Sequence, residues 1–346
     1  MLAKALSVGL LVSFLAAHAQ HLTPNIEGNC KVLRPNTNTD QHVFIEKSGC
    51  YRLGQPFDQS WRYVIAEGGK KGPVNREMIQ TRAVDTEIDL AGFSLKTTTG
   101  VDGIVASASR GDGSTWAPFG PDELHRLVVR NGSINLGNEN FDLSGADGRG
   151  VVSPADAIFV HSRNLPPRPL PSPFRKVEYV LENLNIKTGN AAALLMGDGI
   201  VVRNCTIEVE GENALVVYGP NAVIENNRIV YRYRDAWPVL SKNSRTPPLY
   251  PELHAAIYLR SADSAIVRGN TISVDERDLA ISAVAVVDSK GVRIEGNHLN
   301  REGQSVRLQG VSSVVFSGNW VKDSLFRSER ALPDQVVNSY GTEAKQ

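Results

Sequence analysis

One short block recurs along this chain: LVVRNGSI, YVLENLNI, IVVRNCTI, AVIENNRI, AIVRGNTI, VRIEGNHL and VVFSGNWV. In each, a Gly or Asn stands three positions before an aliphatic residue; these anchors are Asn131, Asn183, Asn204, Asn226, Gly269, Gly296 and Gly318, with Gly92 in IDLAGFSL a weaker eighth. Where nothing is inserted the anchors lie 21 or 22 residues apart. A fixed period of that length specifies stacked coils, each burying its apolar side against the next.

The residue types at the anchor say what happens there. Gly and Asn are the residues that tolerate a left-handed backbone at least cost, so the anchor is a sharp bend. The chain holds 30 Gly and 24 Asn, and the repeat accounts for much of that excess. After each bend stand Gly132, Leu184, Cys205, Asn227, Asn270, Asn297 and Asn319, a mixture that reads as an inward position. The four amides in the last units are expected to stack into a ladder that satisfies both side chains and turn backbone.

Around the bend each unit alternates strand, turn and strand, as in AIYLR, SADS, AIVR and TISV. Three short strands per coil predict an all-β, single-stranded parallel β-helix of about eight coils. A leucine-rich repeat would need an LxxLxL spine, which is absent, and a β-sandwich would not repeat one block in register.

The first residues belong to something else. Lys4, an apolar run from Ala5 to Ala17 and Ala17-His18-Ala19 form a signal-peptide pattern over residues 1–19. The run is too short to span a bilayer. The chain is therefore expected to be exported, to periplasm or medium, with no membrane span. In that compartment Cys30 and Cys50 are expected to form a disulfide, and Cys205 to be a buried small hydrophobe. Residues 20–60 read as an N-terminal cap, 61–323 as the β-helix and 324–346 as a C-terminal cap and polar tail. The 37 basic and 37 acidic residues argue against a nucleic-acid partner. Oligomeric state is open.

With blocks such as AIVRGNTI and VRIEGNHL, the chain resembles right-handed parallel β-helix proteins of the pectin-lyase-like superfamily from about Trp61 to Asp323. SGCYRL and IDLAGFSL are similar to the opening region of exported bacterial members. The resemblance implies a polysaccharide partner and a groove along the first strand of every coil. In that strand Ile257 and Leu259 are inward by alternation, so Tyr258 and Arg260 point out. The same register turns out Phe159 and His161, Leu194 and Met196, Val216 and Tyr218, Ala285 and Val287, and Arg307 and Gln309.

The Tyr231 to Leu253 insertion adds Tyr231, Arg232, Tyr233, Arg234 and Trp237, an interleaving of rings and cations. Rings stack on sugars and Arg binds carboxylates in pairs, so an acidic polysaccharide suits this wall. With Tyr218 and Arg307 these form the expected substrate-binding set.

The superfamily's named signatures are mostly missing. There is no adjacent Asp pair, no GHG, no WxDH, no RxPxxR and no DPH; Arg293-Ile294 is followed by Glu295, and Asn38-Thr39-Asp40 lies before the repeats. β-Elimination from a uronic acid remains buildable: Arg260 or Arg234 neutralises the carboxylate, His161 or His254 removes the proton, and Tyr258 protonates the leaving oxygen. No cofactor is expected; calcium enters only through the resemblance, and no acidic ligand cluster with the usual spacing occurs. Two readings result: a lyase on uronic-acid glycans, and a non-catalytic β-helix that binds carbohydrate or a surface partner.

Overall fold

The computed structural model describes residues 30–35, 43–59, 77–97, 102–106, 125–136, 157–160, 173–211, 213–233, 253–274, 281–300, 305–323, 328–331 and 335–337. All regular structure among them is strand. Nine parallel strands make the first face: Val43–Ile45, Glu77–Thr81, Asp102–Ala106, Ile158–Val160, Ala193–Met196, Asn213–Tyr218, Ala255–Arg260, Ser282–Val287 and Val306–Gln309. The second and third faces lie before and after the bend. In two coils they run together as one long strand, His125–Leu136 and Val177–Thr188; elsewhere they are separate, as in Ile266–Arg268 and Thr271–Val274.

This is the expected parallel β-helix. Period-two alternation sends Ile257, Leu259, Val267 and Ile272 from three faces of one coil into the interior, where all are fully buried. Consecutive coils pair in register, for example Ile224 with Val267 and Val267 with Ile294. Parallel pairing already begins before Trp61: Lys31–Leu33 pairs with Gly49–Leu53, Val43–Ile45 with Glu77–Thr81, and Phe57–Gln59 with Ser94–Thr97. Thus part of the segment read as a cap contributes rungs of its own.

The seven anchors have φ between 54 and 63°, the left-handed values their residue types require. The eighth differs. Between Asp89 and Ser94 the chain carries two more residues than the next coil has between Arg130 and Ser133, and a two-residue turn, Ala91-Gly92, replaces the single bend.

Inside the bends the amide ladder forms. Asn227, Asn270 and Asn297 each donate from Nδ2 to the Oδ1 of the next Asn at 3.0 Å, ending on Asn319. Each acceptor oxygen also takes a backbone N–H, and the series starts at the N–H of Cys205, 2.9 Å from Asn227 Oδ1. The second N–H of each amide donates to a carbonyl one coil back, from Val202 to Ile294. The Cys205 thiol is buried and donates to the Arg203 carbonyl at 3.2 Å; burial pushes its pKa up to about 11.

A second ladder runs outside the same bends. The residues just before them, Arg130, Glu182, Arg203, Glu225, Arg268 and Glu295, sit side by side with alternating charge, and the row extends back through Asp89 to Arg52. Arg203 pairs with Glu182 at 2.5 Å and Arg268 with Glu225 at 2.6 Å.

Two antiparallel strands, Ser328–Ala331 on Trp320–Asp323 and Gln335–Val337 on Val314–Ser317, cover edges that would otherwise expose strand backbone. Near the other end Cys30 and Cys50 form the expected disulfide.

Candidate functional site

The outward row of the first face has the expected register. Phe159, Leu194, Val216, Tyr258, Ala285 and Arg307 are aligned across neighbouring strands, and Met196, Tyr218, Arg260, Val287 and Gln309 form the row beside them. Its environment is not the expected open groove. Leu194, Met196, Val216, Ala285 and Val287 make a second apolar cluster, buried on the outside of the coil, with Tyr218 and Tyr258 in it at 3% and 2% exposure. Phe174, and Leu253 at the end of the Tyr231 to Leu253 insertion, pack against it. An apolar row on an outer face is stable only when covered, so the residues that attract an insertion are the ones that a groove would need open.

Tyr218 and Tyr258 meet edge to face with centroids 6.1 Å apart. Burial, then the neighbouring Tyr218, pushes the Tyr258 phenol above the ordinary tyrosine range, while Arg260 opposes the shift. Arg260 is partly exposed and binds Asp288 at 3.1 Å. Arg307 is half-buried two strands from Tyr258. His254 is half-buried ahead of its strand, where its carbonyl accepts the Ser282 N–H at 3.1 Å. His161, Arg234 and Trp237 lie outside the described residues. The structure therefore brings Tyr218, Tyr258 and Arg260 together and adds Asp288, but the tyrosines have little surface to offer a polymer.

The insertion also begins later than the sequence suggested. Tyr231, Arg232 and Tyr233 belong to the strand Arg228–Tyr233. Tyr231 is fully buried in the main core and cannot be a wall residue. The alternation of Ile229 and Tyr231 already carried this signal, since both continue the inward row. Arg232 points outward, where Glu208 and Glu210 bind it at 2.7 and 3.4 Å; that hydrogen bond holds the Glu208 carboxyl below its usual range.

The third face is different. Its outward rows are mostly polar and reach solvent: Ser94, Ser133, Asn185, Thr206, Arg228, Thr271, His298 and Trp320 align in one, and Lys96, Asn135, Lys187, Glu208, Val230 and Ser273 in the other. Both rows border an open hollow of about 290 Å³ lined by Ser94, Lys96, Ser133, Asn135, Asn185, Lys187 and Glu208. These residues lie outside the first-strand groove that the resemblance implies. Their signal was the polar second position after each bend. Among the described residues no three His, Cys, Asp or Glu side chains gather as a metal site. Nor is any helix there long and apolar enough to cross a membrane.

Coil architecture, bends and internal ladder define the class: the molecule is a parallel β-helix. Residues 175–327 match the family described as "Right handed beta helix region". A similar solved structure is the enzymatically active domain of bacteriophage CBA120 tailspike protein 2, at 10% identity and a TM-score of 0.38, with 86% of this chain and 42% of that one covered. The chain thus spans less than half the length of that neighbour. No curated protein matches the chain.

Proposed function

We propose that this is an exported β-helix protein that binds polysaccharide along its flank, and that binding rather than bond cleavage is its task. The observation that carries this reading is the contrast between the two outer faces. On the first, Tyr218 and Tyr258 are 3% and 2% exposed among apolar neighbours, and Arg260 is engaged by Asp288. An acid at the leaving oxygen must come within hydrogen-bond reach of it, which a covered phenol does not offer. On the third face hydroxyls, amides, two lysines and Glu208, which lies 3.8 Å from Lys187, border an open hollow. Such groups match the hydroxyl rims of a glycan and the carboxylates of an acidic one. The Cys30–Cys50 disulfide supports export to an oxidising compartment.

The test is a panel of acidic and neutral polysaccharides, scored both for saturable binding and for ultraviolet absorbance of unsaturated uronate. Binding without product is expected, weakened by salt and by Lys96→Gln with Lys187→Gln, and unaffected by Tyr258→Phe. Steady release of unsaturated product, abolished by Tyr258→Phe and Arg260→Ala, would restore the β-elimination reading. Lack of binding across the panel would overturn the proposal.

A further inference from the structure

The last parallel strand of the third face, bordered on its far side by Ser328–Ala331, carries an unusual surface feature. Trp320 is 43% exposed, one of three large exposed hydrophobics among the described residues. Its ring lies on that of His298, with planes 8° apart and centroids separated by 6.4 Å. The two residues are direct partners on adjacent strands, so the strand register itself holds the rings parallel. Neither belongs to an apolar cluster. Exposing a Trp face to water is unfavourable, and a flat ring held beside a second ring is a surface ready to accept another flat, weakly polar one.

The row that leads to it indicates what that partner is. From Asn185 the exposed row runs through Thr206, Arg228 and Thr271 to His298 and Trp320. The five strand spacings span roughly 24 Å at about 4.8 Å each. An apolar protein partner would meet amides, hydroxyls and a cation along this row. An extended glycan presents apolar ring faces flanked by hydroxyls, and one pyranose residue is close in length to one coil spacing. Arg228 in this row and Lys187 and Lys96 in the next are cations, with Arg232 beside them; against these four stand Glu208, which binds Arg232 at 2.7 Å and lies 3.8 Å from Lys187, and Glu210. That balance favours carboxylated sugars.

We infer that the His298–Trp320 pair is a stacking platform for a sugar ring, and that it anchors one end of an acidic linear glycan lying along the third face parallel to the coil axis. This rests on the polysaccharide-binding reading and adds to it a location, a direction and a carboxylate preference.

The experiment titrates the intact protein with uronic-acid oligosaccharides of increasing length and with neutral ones, by calorimetry. Affinity is expected to rise with length until the roughly 24 Å track is filled. Trp320→Ala is expected to weaken binding about tenfold, the scale of one aromatic contact. Trp320→Phe should retain most of the affinity, and Phe44→Ala, an exposed ring at the other end of the coil, should leave it unchanged. Thermal melts of each variant separate a binding loss from misfolding, and the Phe variant keeps the test decisive if the Ala variant does not fold. Binding that survives Trp320→Ala, or that is lost equally in Phe44→Ala, overturns the platform while leaving the broader proposal intact. Lack of binding by the unaltered protein overturns both. Concentration-dependent dimerisation that Trp320→Ala abolishes would assign the rings to a second copy of the chain, and the inference would fail.

Discussion

Two ladders flank the same bends, and they have the same spacing, yet they differ in energetic weight. Asn270 is the second residue after Arg268 in the chain. Asn270 faces inward, fully buried, and makes four hydrogen bonds to neighbouring coils. Arg268 faces outward, its side chain 53% exposed, and binds the Glu225 carboxylate, which is 15% exposed. The interior bonds have no competitor if broken, whereas the half-exposed guanidinium reaches water whether or not the pair forms. Periodicity alone does not rank interactions; the medium around them does.

The largest effect should come from the interior. Asn270→Ala strands the backbone N–H of Asn227 and the carbonyl of Ile224 in a dry site, and a loss of roughly 4 kcal/mol in unfolding free energy is expected from denaturant titration. A loss below about 1 kcal/mol would break the distinction between the two ladders.

The disulfide sharpens it, since it is a link between neighbouring strands that water does not weaken. Cys50 lies opposite Glu87 beside the charged row, and Cys30–Cys50 closes a loop with a sequence separation of 20. Replacing both by Ala should cost about 3 kcal/mol.

Cys205 tests how dry the ladder's first rung is. In the fold its thiol keeps its proton until about pH 11, whereas the unfolded chain releases it near the ordinary thiol value of 9.0. Between those values the folded state binds more protons, so stability falls as pH rises from 9 towards 11, by roughly 2 to 3 kcal/mol. Below pH 9 this group contributes no slope. Unfolding free energies measured across that range should lose this component in Cys205→Ala.

The smallest effects belong outside. Arg268→Ala should cost less than about 1 kcal/mol, and Arg268→Glu somewhat more, because it places like charges between Glu225 and Glu295. Both penalties should shrink in high salt. An Arg268→Ala cost equal to that of Asn270→Ala would mean that solvent does not set the ranking.

Much of the fold is legible in the sequence. The seven anchors, the inward amides and the alternation of the first-face strands followed from residue type and period. The outer charge ladder was equally legible, as the R, E, R, E, R, E sequence of residues before the bends, but it appears only when the repeats are aligned and read one column to the left. The candidate site was legible only in part. Register correctly turned Tyr258 and Arg260 outward, but it could not tell whether that outside was wet. The Tyr231–Tyr233 segment was misread because aromatic and cationic residues resemble a loop wall when alternation is not followed to the end of the strand.

The sequence by itself determined the coil, its bends and which side of each strand faces in, because these depend on local backbone preference and a period that repeats every turn. Only the tertiary structure decided which outer face is covered and which is open. Covering depends on contacts between residues distant in the chain, such as Phe174 and Leu253 with the Tyr218 and Tyr258 cluster, and no local pattern encodes them. The same holds for the parallel rings of His298 and Trp320, which are 22 residues apart in the chain and adjacent only once the coils stack.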